Sequence, residues 1–262
     1  MKFIDTHSHL HFSDFESELD QVVKRAEEAS VSKIITIGTD IKTSEQSIDI
    51  AKKFPDHVLA AVGIHPTDCL AATESEVQQL SKLAEDLSVV AIGEIGLDLY
   101  WKEVPLNKQW EVFRWMKELA EIKNLPMIIH TRDAYKEMKN FFSEYPPKRN
   151  QPGVLHSFDG SIEDARFFLD KGFFISFTGV VTFKNYKKED LVKYVPVDRL
   201  LFETDAPFLS PHPKRGKRNE PMNIVYTAGK ISEIKGIEPN ILFSQVYNNS
   251  INLFKIDKSG KQ

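Results

Sequence analysis

Short apolar runs rich in β-branched residues alternate along the chain with longer amphipathic, charged segments, the pattern of β-strands separated by helices. Eight such runs occur: FIDTHSHL (3–10), KIITIGT (33–39), VLAAVGIHP (58–66), VVAIGEIGLD (89–98), LPMIIHTR (125–132), PGVLHSF (152–158), FFISFTG (173–179) and LLFETDAP (200–207). Their starts lie 21 to 36 residues apart, room for a crossover helix each time. The segments between them read as those helices: DFESELDQVVKRAEEA, SEQSIDIAKKF, ESEVQQLSKLAEDL, LNKQWEVFRWMKELAEIKN, AYKEMKNFFSEY, SIEDARFFLDKG and KEDLVKYV. Further helices are expected after residue 222. Strands this apolar are buried on both faces, so the pattern predicts an α/β fold, a (β/α)8 TIM barrel. An open doubly wound sheet is the alternative, but no Gly-rich dinucleotide fingerprint follows the first strand, where His7 and His9 stand instead.

Length agrees with that reading, because 262 residues is close to the size of one barrel. We expect a single domain over 1–262, with the last few residues as a disordered tail. The apolar fraction of 41% and charged fraction of 27% are those of an ordinary globular protein, and no Gly, Ser or Pro tract is rich enough to act as a linker. A formal net charge of -4 gives no global attraction to nucleic acid or anionic membrane, so any polyanion has to be held locally. The single cysteine, Cys69, excludes an internal disulfide and fits a reducing compartment. The N-terminus lacks a basic segment followed by an apolar run, and no stretch reaches the roughly 18 apolar residues of a spanning helix. The expected location is the cytoplasm, with no membrane contact and no obligate protein partner.

The polar residues within the apolar runs carry the chemistry. His7 and His9 end the first strand, Glu94 the fourth, His130 the fifth, His156 the sixth and Asp205 the eighth. In a barrel the C-terminal strand ends converge on one mouth, which brings these six together. Four imidazoles and two carboxylates are too many polar groups to bury unpaired, and a pair of metal ions is the economical partner. Imidazole with carboxylate suits zinc, manganese, iron or nickel, and a carboxylate can bridge two ions roughly 3.5 to 4 Å apart.

Other residues flank this set. Asp5 and Glu203 are each placed to orient a ligand imidazole, or else to serve as buried ion-pair partners. His65, in GIHP, is expected to contact substrate, and Arg132 to meet an anionic group unless it pairs with Asp133. Tyr100 and Trp101 follow the fourth strand, where they can stack a base or cap the core. The segment PHPKRGKRNEP places Lys214, Arg215, Lys217 and Arg218 beside the mouth, where they can track a phosphate backbone, Arg218 being the expected phosphate contact. His11 and His57 read as surface histidines.

The set IDTHSHLHF, VGIHPTD, AIGEIGLDLYW, LPMIIHTRDA, GVLHSFDG, FFISFTGVVTF, LLFETDAPFLSP and RGKRNEP resembles the TatD-related deoxyribonucleases, metal-dependent hydrolases of the amidohydrolase superfamily. It runs in order from residue 3 to about residue 254. The resemblance implies a distorted (β/α)8 barrel, with His7, His9, Glu94 and Asp205 on one metal and Glu94 bridging to a second held by His130 and His156. It also implies a nuclease that uses two divalent ions per chain, Mg2+, Mn2+ or Zn2+, on DNA single strands or ends. Such a cation pair lowers the pKa of water and polarises a phosphoryl oxygen, with Asp205 as candidate general base. An ester or amide hydrolase, such as an aminoacyl-tRNA deacylase, is the alternative enzyme, and a metal-stapled binding scaffold the non-enzymatic one.

Overall fold

The computed structural model describes residues 1–256; the expected disordered tail lies outside them. Eight strands pair in chain order, all parallel: β1 (Phe3–Ser8), β2 (Val31–Ile37), β3 (Val58–Val62), β4 (Val89–Asp98), β5 (Met127–Arg132), β6 (Gly153–Leu155), β7 (Phe174–Phe177) and β8 (Leu200–Phe202). The ring closes just past β8, where Ser8 bridges Ala206, the His9 N–H donates to the Ala206 carbonyl (2.7 Å) and the Asp205 N–H donates to the His7 carbonyl (2.9 Å). This is a nearly closed, distorted barrel in one domain. It is not the open doubly wound sheet.

Strand ends differ from the sequence pattern in a way that matters for the site. β1 stops at Ser8, β6 at Leu155 and β8 at Phe202, so His9, His156, Glu203 and Asp205 sit on the chain leaving the sheet. Asp205 turns through a left-handed conformation (φ 59), which Asp tolerates better than most residues. Glu94, expected at the end of the fourth strand, instead lies inside β4. The strand continues past it because Ile95, Gly96, Leu97 and Asp98 pair with Ile129, His130, Thr131 and Arg132 of β5. That close pairing requires glycine at 96 (φ 142), where a Cβ would meet the His130 carbonyl oxygen at 2.0 Å.

Helices fill each crossover: α1 (Ser13–Glu16), α2 (Leu19–Glu28), α3 (Ile41–Lys53), α4 (Glu74–Leu83), α5 (Leu106–Lys123), α6 (Tyr135–Glu144), α7 (Ile162–Asp170), α8 (Glu189–Tyr194), α9 (Ile224–Lys235) and α10 (Pro239–Phe254). The first expected helix is split in two because Glu18 leaves the helical region (φ -142), and its carboxylate faces Arg25 and Arg218. α3 starts earlier than its apolar periodicity suggested, since Asp40 and Thr43 form a capping box.

Two apolar layers hold the barrel. Ile4, Leu59, Val90, Ile128, Val154, Phe174 and Leu201 lie in one cluster with Leu253 and Phe254 of α10. Each is the first or second residue of its strand, so this layer plugs the N-terminal end of the barrel. Neighbours of opposite phase, such as Phe3, Ala60, Ile129, Ile175 and Leu200, join the larger cluster that the surrounding helices cover. Burying each such side chain contributes about 1.5–3 kcal/mol. With one end plugged by apolar groups, the candidate site residues collect at the other.

Among the described residues no helix is long and apolar enough to cross a membrane. Cys69 is buried, and its Sγ lies 3.1 Å from the Pro66 carbonyl. Burial pushes the thiol up to about 11, against the milder opposing pull of Lys108. An aromatic disulfide reagent at pH 8 is therefore expected to leave the native protein unmodified and to label one thiol at the rate of unfolding in denaturant. Rapid stoichiometric labelling without denaturant would contradict this placement.

Candidate metal centre

Glu94 is the hub of the mouth. Its Oε2 lies 3.3 Å from His7 Nε2 and 3.6 Å from His9 Nε2. Its Oε1 lies 2.9 Å from His130 Nδ1, 2.8 Å from His156 Nε2 and 3.6 Å from His65 Nε2. Asp205 Oδ1 faces the first group, 3.5 Å from His7 Nε2 and 3.4 Å from His9 Nε2. One carboxylate thus serves two sets of nitrogens, one oxygen each. Three overlapping groups have ligand atoms close enough to hold an ion: His7, His9 and Asp205; His7, Glu94 and His156; and His65, Glu94 and His130. The six residues expected to bind metal are brought together, and His65 joins them.

The surroundings hold these rings in place. His9 Nδ1 lies 3.2 Å from the Ile37 carbonyl, which turns Nε2 toward Glu94 and Asp205. His130 Nε2 lies 2.8 Å from Asp98 Oδ2, which accepts its N–H hydrogen bond, so Nδ1 faces Glu94. Asp98 Oδ1 also accepts the Tyr100 and Trp101 amides, at 2.9 and 3.0 Å. Behind it, buried Gln109 of α5 grips the Asp98 backbone from both sides, accepting its N–H (2.8 Å) and donating to its carbonyl (2.8 Å).

Glu203 and Asp5 divide differently. Glu203 accepts from the Ser157 amide and the Ser176 hydroxyl, with Oε1 3.5 Å from His156 Nδ1, so it lies behind a site imidazole. Asp5 faces no imidazole: it accepts the Thr204 amide (2.9 Å) and hydroxyl (2.5 Å) and, at 3.4 Å, the His7 amide. It ties β1 to the chain beyond β8 through backbone groups. The irregular β1–β2 register between Asp5 and Ser8 breaks the simple alternation that would have aligned Asp5 with the histidines.

Electrostatics follow from crowding. Burial disfavours the Glu94 carboxylate, but His156, His7 and His65 outweigh it and hold the group well below its usual range. Burial lowers His7, and burial with His130 as neighbour pushes His65 down to about 3, so both favour the neutral ring. For His9 burial is outweighed by Asp205 and Glu94, and for His130 by Asp98 and Glu94; both are raised, and His156 is raised well above the usual value mainly by Glu94 and Glu203. Facing nitrogens 3.1 Å apart (His7 and His9) and 3.3 Å apart (His130 and His156) share these carboxylate oxygens. Imidazoles converging with carboxylates are the donor set that binds divalent first-row metals, and the residues present fit such ions.

Around the rim, Arg132 is exposed and its guanidinium lies 3.7 Å from the centre of the Tyr100 ring. Among the described residues it makes no ion pair, Asp133 included. Tyr100 and Trp101 are half exposed and meet edge to face. Arg218 departs from the expectation of phosphate contact: its guanidinium is committed to Glu18 (2.9 Å) and Glu220 (2.8 Å) and covers the Phe15 ring. Glu220 also binds Arg25, so this network fastens α2 to the loop after β8. His11 is half buried against His9 and Phe12 rather than on the surface. His57 pairs weakly with Glu27 at 3.8 Å, just before β3 and so at the far end of the barrel.

The pairing of Asp98 with His130 was not readable in the sequence; it depends on the β4–β5 register. Gln109 had no signal, because one polar residue in an amphipathic helix reads as solvated.

Two predictions follow from this geometry. Because His9, His130 and His156 are raised, they keep protons more readily than free imidazole, and a cation must displace them, so binding of Mn2+ or Zn2+ should release protons and strengthen as pH rises. Calorimetry at pH 7 in buffers of different ionisation enthalpy should give heats that depend on the buffer; identical heats would count against it. Asp98→Asn should weaken metal binding by roughly 10- to 100-fold, as loss of a ligand-orienting carboxylate does, measured by competition with a chromogenic chelator.

Comparison with known proteins places the chain among metal-dependent hydrolases. The model of the family described as TatD related DNase matches residues 4–255. A Bacillus subtilis protein described as the uncharacterized metal-dependent hydrolase YabD is 41% identical over 254 residues, covering 97% of this chain and 99% of that one. The Escherichia coli relative YcfH, described in the same words, is 35% identical over 266 residues, covering 100% and 99%. The crystal structure of YJJV, a TatD homologue from Escherichia coli, superposes with a TM-score of 0.91 at 28% identity, covering 97% of this chain and 98% of that one. The chain belongs to the TatD related DNase family.

Proposed function

We propose that this chain, a metal-dependent hydrolase of the TatD related family, cleaves phosphodiester bonds of DNA with divalent ions that His7, His9, Glu94, His130, His156 and Asp205 would hold. The observation that carries the reading is that the two oxygens of Glu94 face separate nitrogen groups, His7 with His9 and His130 with His156. Divalent ions held by these residues would supply an activated water and charge stabilisation for phosphodiester hydrolysis. Zn2+ and Mn2+ suit this donor set best, whereas Mg2+ would rely on the Glu94 and Asp205 oxygens and on water.

The chain's own groups supply the rest. The Asp205 carboxylate is more open to solvent than that of Glu94, 15% against 4% exposed, which suits it to take a proton from the attacking water at Oδ1. His65, neutral at its lowered pKa, presents Nε2 toward the same pocket as a neutral hydrogen-bonding group for substrate oxygen. Arg132 offers an uncompensated guanidinium on the opposite rim, preorganised by the Tyr100 ring, where a phosphate adjoining the scissile one can be held. Tyr100 and Trp101 present half-exposed rings to a flanking base. The buried thiol and the absence of a need for disulfides fit a cytoplasmic setting.

A panel of single-stranded, double-stranded and nicked DNA, incubated with Mg2+, Mn2+ or Zn2+, should yield nucleotides, single strands and ends being cut fastest. Intact DNA under every ion at high enzyme, with aminoacyl esters turned over instead, would replace this reading by the deacylase one. Asp205→Asn should reduce kcat roughly 10²- to 10⁴-fold, the usual contribution of general base catalysis, with metal content measured alongside. A variant that keeps full kcat removes Asp205 from that role.

A further inference from the structure

We infer that a single-stranded polyanion leaves the metal centre on the β7 and β8 side of the mouth, crossing the ring of Phe208 and then a ridge of unpaired cations. The inference rests on the nucleolytic reading above and adds the path of the substrate away from the scissile bond.

Phe208 lies one turn beyond Asp205, and its amide donates to the Asp205 carbonyl at 2.8 Å. Asn219 Nδ2 donates to the carbonyls of both Thr204 and Phe208, which fixes the turn. The Phe208 ring is 47% exposed, resting edge-on against Phe12 at 5.3 Å and 6.2 Å from the His9 ring. A rigidly held apolar face at the lip of a charged pocket is a stacking surface for a planar group.

Beyond it the same loop carries Lys214, Arg215 and Lys217, while the loop after β7 carries Lys184 and Lys187. The two loops are joined: the His212 N–H donates to Thr182 Oγ1 at 2.7 Å, and the Arg215 guanidinium sits 4.0 Å over the Phe183 ring. Among the described residues none of the five cations makes an ion pair, whereas neighbouring Arg218 binds two carboxylates. In a chain of net charge -4 this is a local excess of positive charge with no internal partner. Aromatic faces followed by free cations form the arrangement that binds single strands irrespective of sequence. A small ester would use neither.

The test is fluorescence anisotropy of labelled, nuclease-resistant phosphorothioate (dT)12 on the Mn2+-loaded protein over a KCl series. The variant Lys184→Gln, Lys187→Gln, Arg215→Gln, Lys217→Gln should flatten the slope of log Kd against log salt by roughly 0.7 per cation removed, about 2.8 in all. Phe208→Ala should weaken (dT)12 roughly tenfold and an abasic strand of equal length by less than twofold. All five side chains are exposed except for their packing contacts, and unchanged melting midpoints confirm that the fold persists. An unchanged slope, equal losses on both strands for Phe208→Ala, or no binding by the wild type each overturns the path. Cleavage of ordinary (dT)12 is read separately: binding as expected without cleavage sinks the nucleolytic reading alone, and cleavage with an unchanged slope sinks the path alone.

Discussion

A single buried carboxylate holds this mouth together. Glu94 is placed where burial disfavours its charge, yet it is held well below its usual range by the imidazoles around it, His156, His7 and His65 foremost. Withdrawing such groups from water costs several kcal/mol per ion when partners are lacking. The cost is offset only if every nitrogen finds an oxygen or a cation. Among the described residues the buried His7 Nδ1 finds no hydrogen-bond partner, so the pocket depends on what its Nε2 and the converging nitrogens share.

The barrel makes that concentration of polar groups tolerable by separating its two ends. Apolar residues from the strand starts, with the end of α10, form the packed layer, and the polar residues collect beyond them. Orientation is then supplied from outside the ring of ligand groups. Gln109 holds the Asp98 backbone, Asp98 holds His130, and the Ile37 carbonyl turns His9. Asp5 and Asp205 contribute to closure itself, through Thr204 and through the His7 carbonyl. The segments around residues 5–9 and 203–206 therefore both close the barrel and carry His7, His9 and Asp205 into the site.

The legible part of the site was residue type and strand position. His7, His9, His130, His156 and Asp205 each came from an apolar run whose C-terminal end had to reach the mouth. Glu94 was identified on the same reasoning, yet it lies inside β4, because the last four residues of that strand gain their partners from β5. Asp5 shows the opposite limit: strict alternation predicted a partner for an imidazole, and an irregular register gave it the Thr204 and His7 backbone instead. Arg218 stood in a basic loop like its neighbours, but Glu18 from the start of α2 and Glu220 two residues on claim it. Charge in a loop is readable from sequence; which carboxylate reaches it is not.

Periodicity along the chain by itself determined eight buried parallel strands, their crossover helices and the set of metal-seeking side chains, because these depend on local spacing and on burial of both sheet faces. Only the tertiary structure decided that the Glu94 oxygens divide between two nitrogen groups, that Asp98 and Gln109 stand behind His130, and which cations are left unpaired. Those features rest on distances between residues far apart in sequence, set by strand register and by closure between β1 and the segment after β8. Such distances change by several ångströms for a slip of one residue, and nothing in a one-dimensional pattern specifies them.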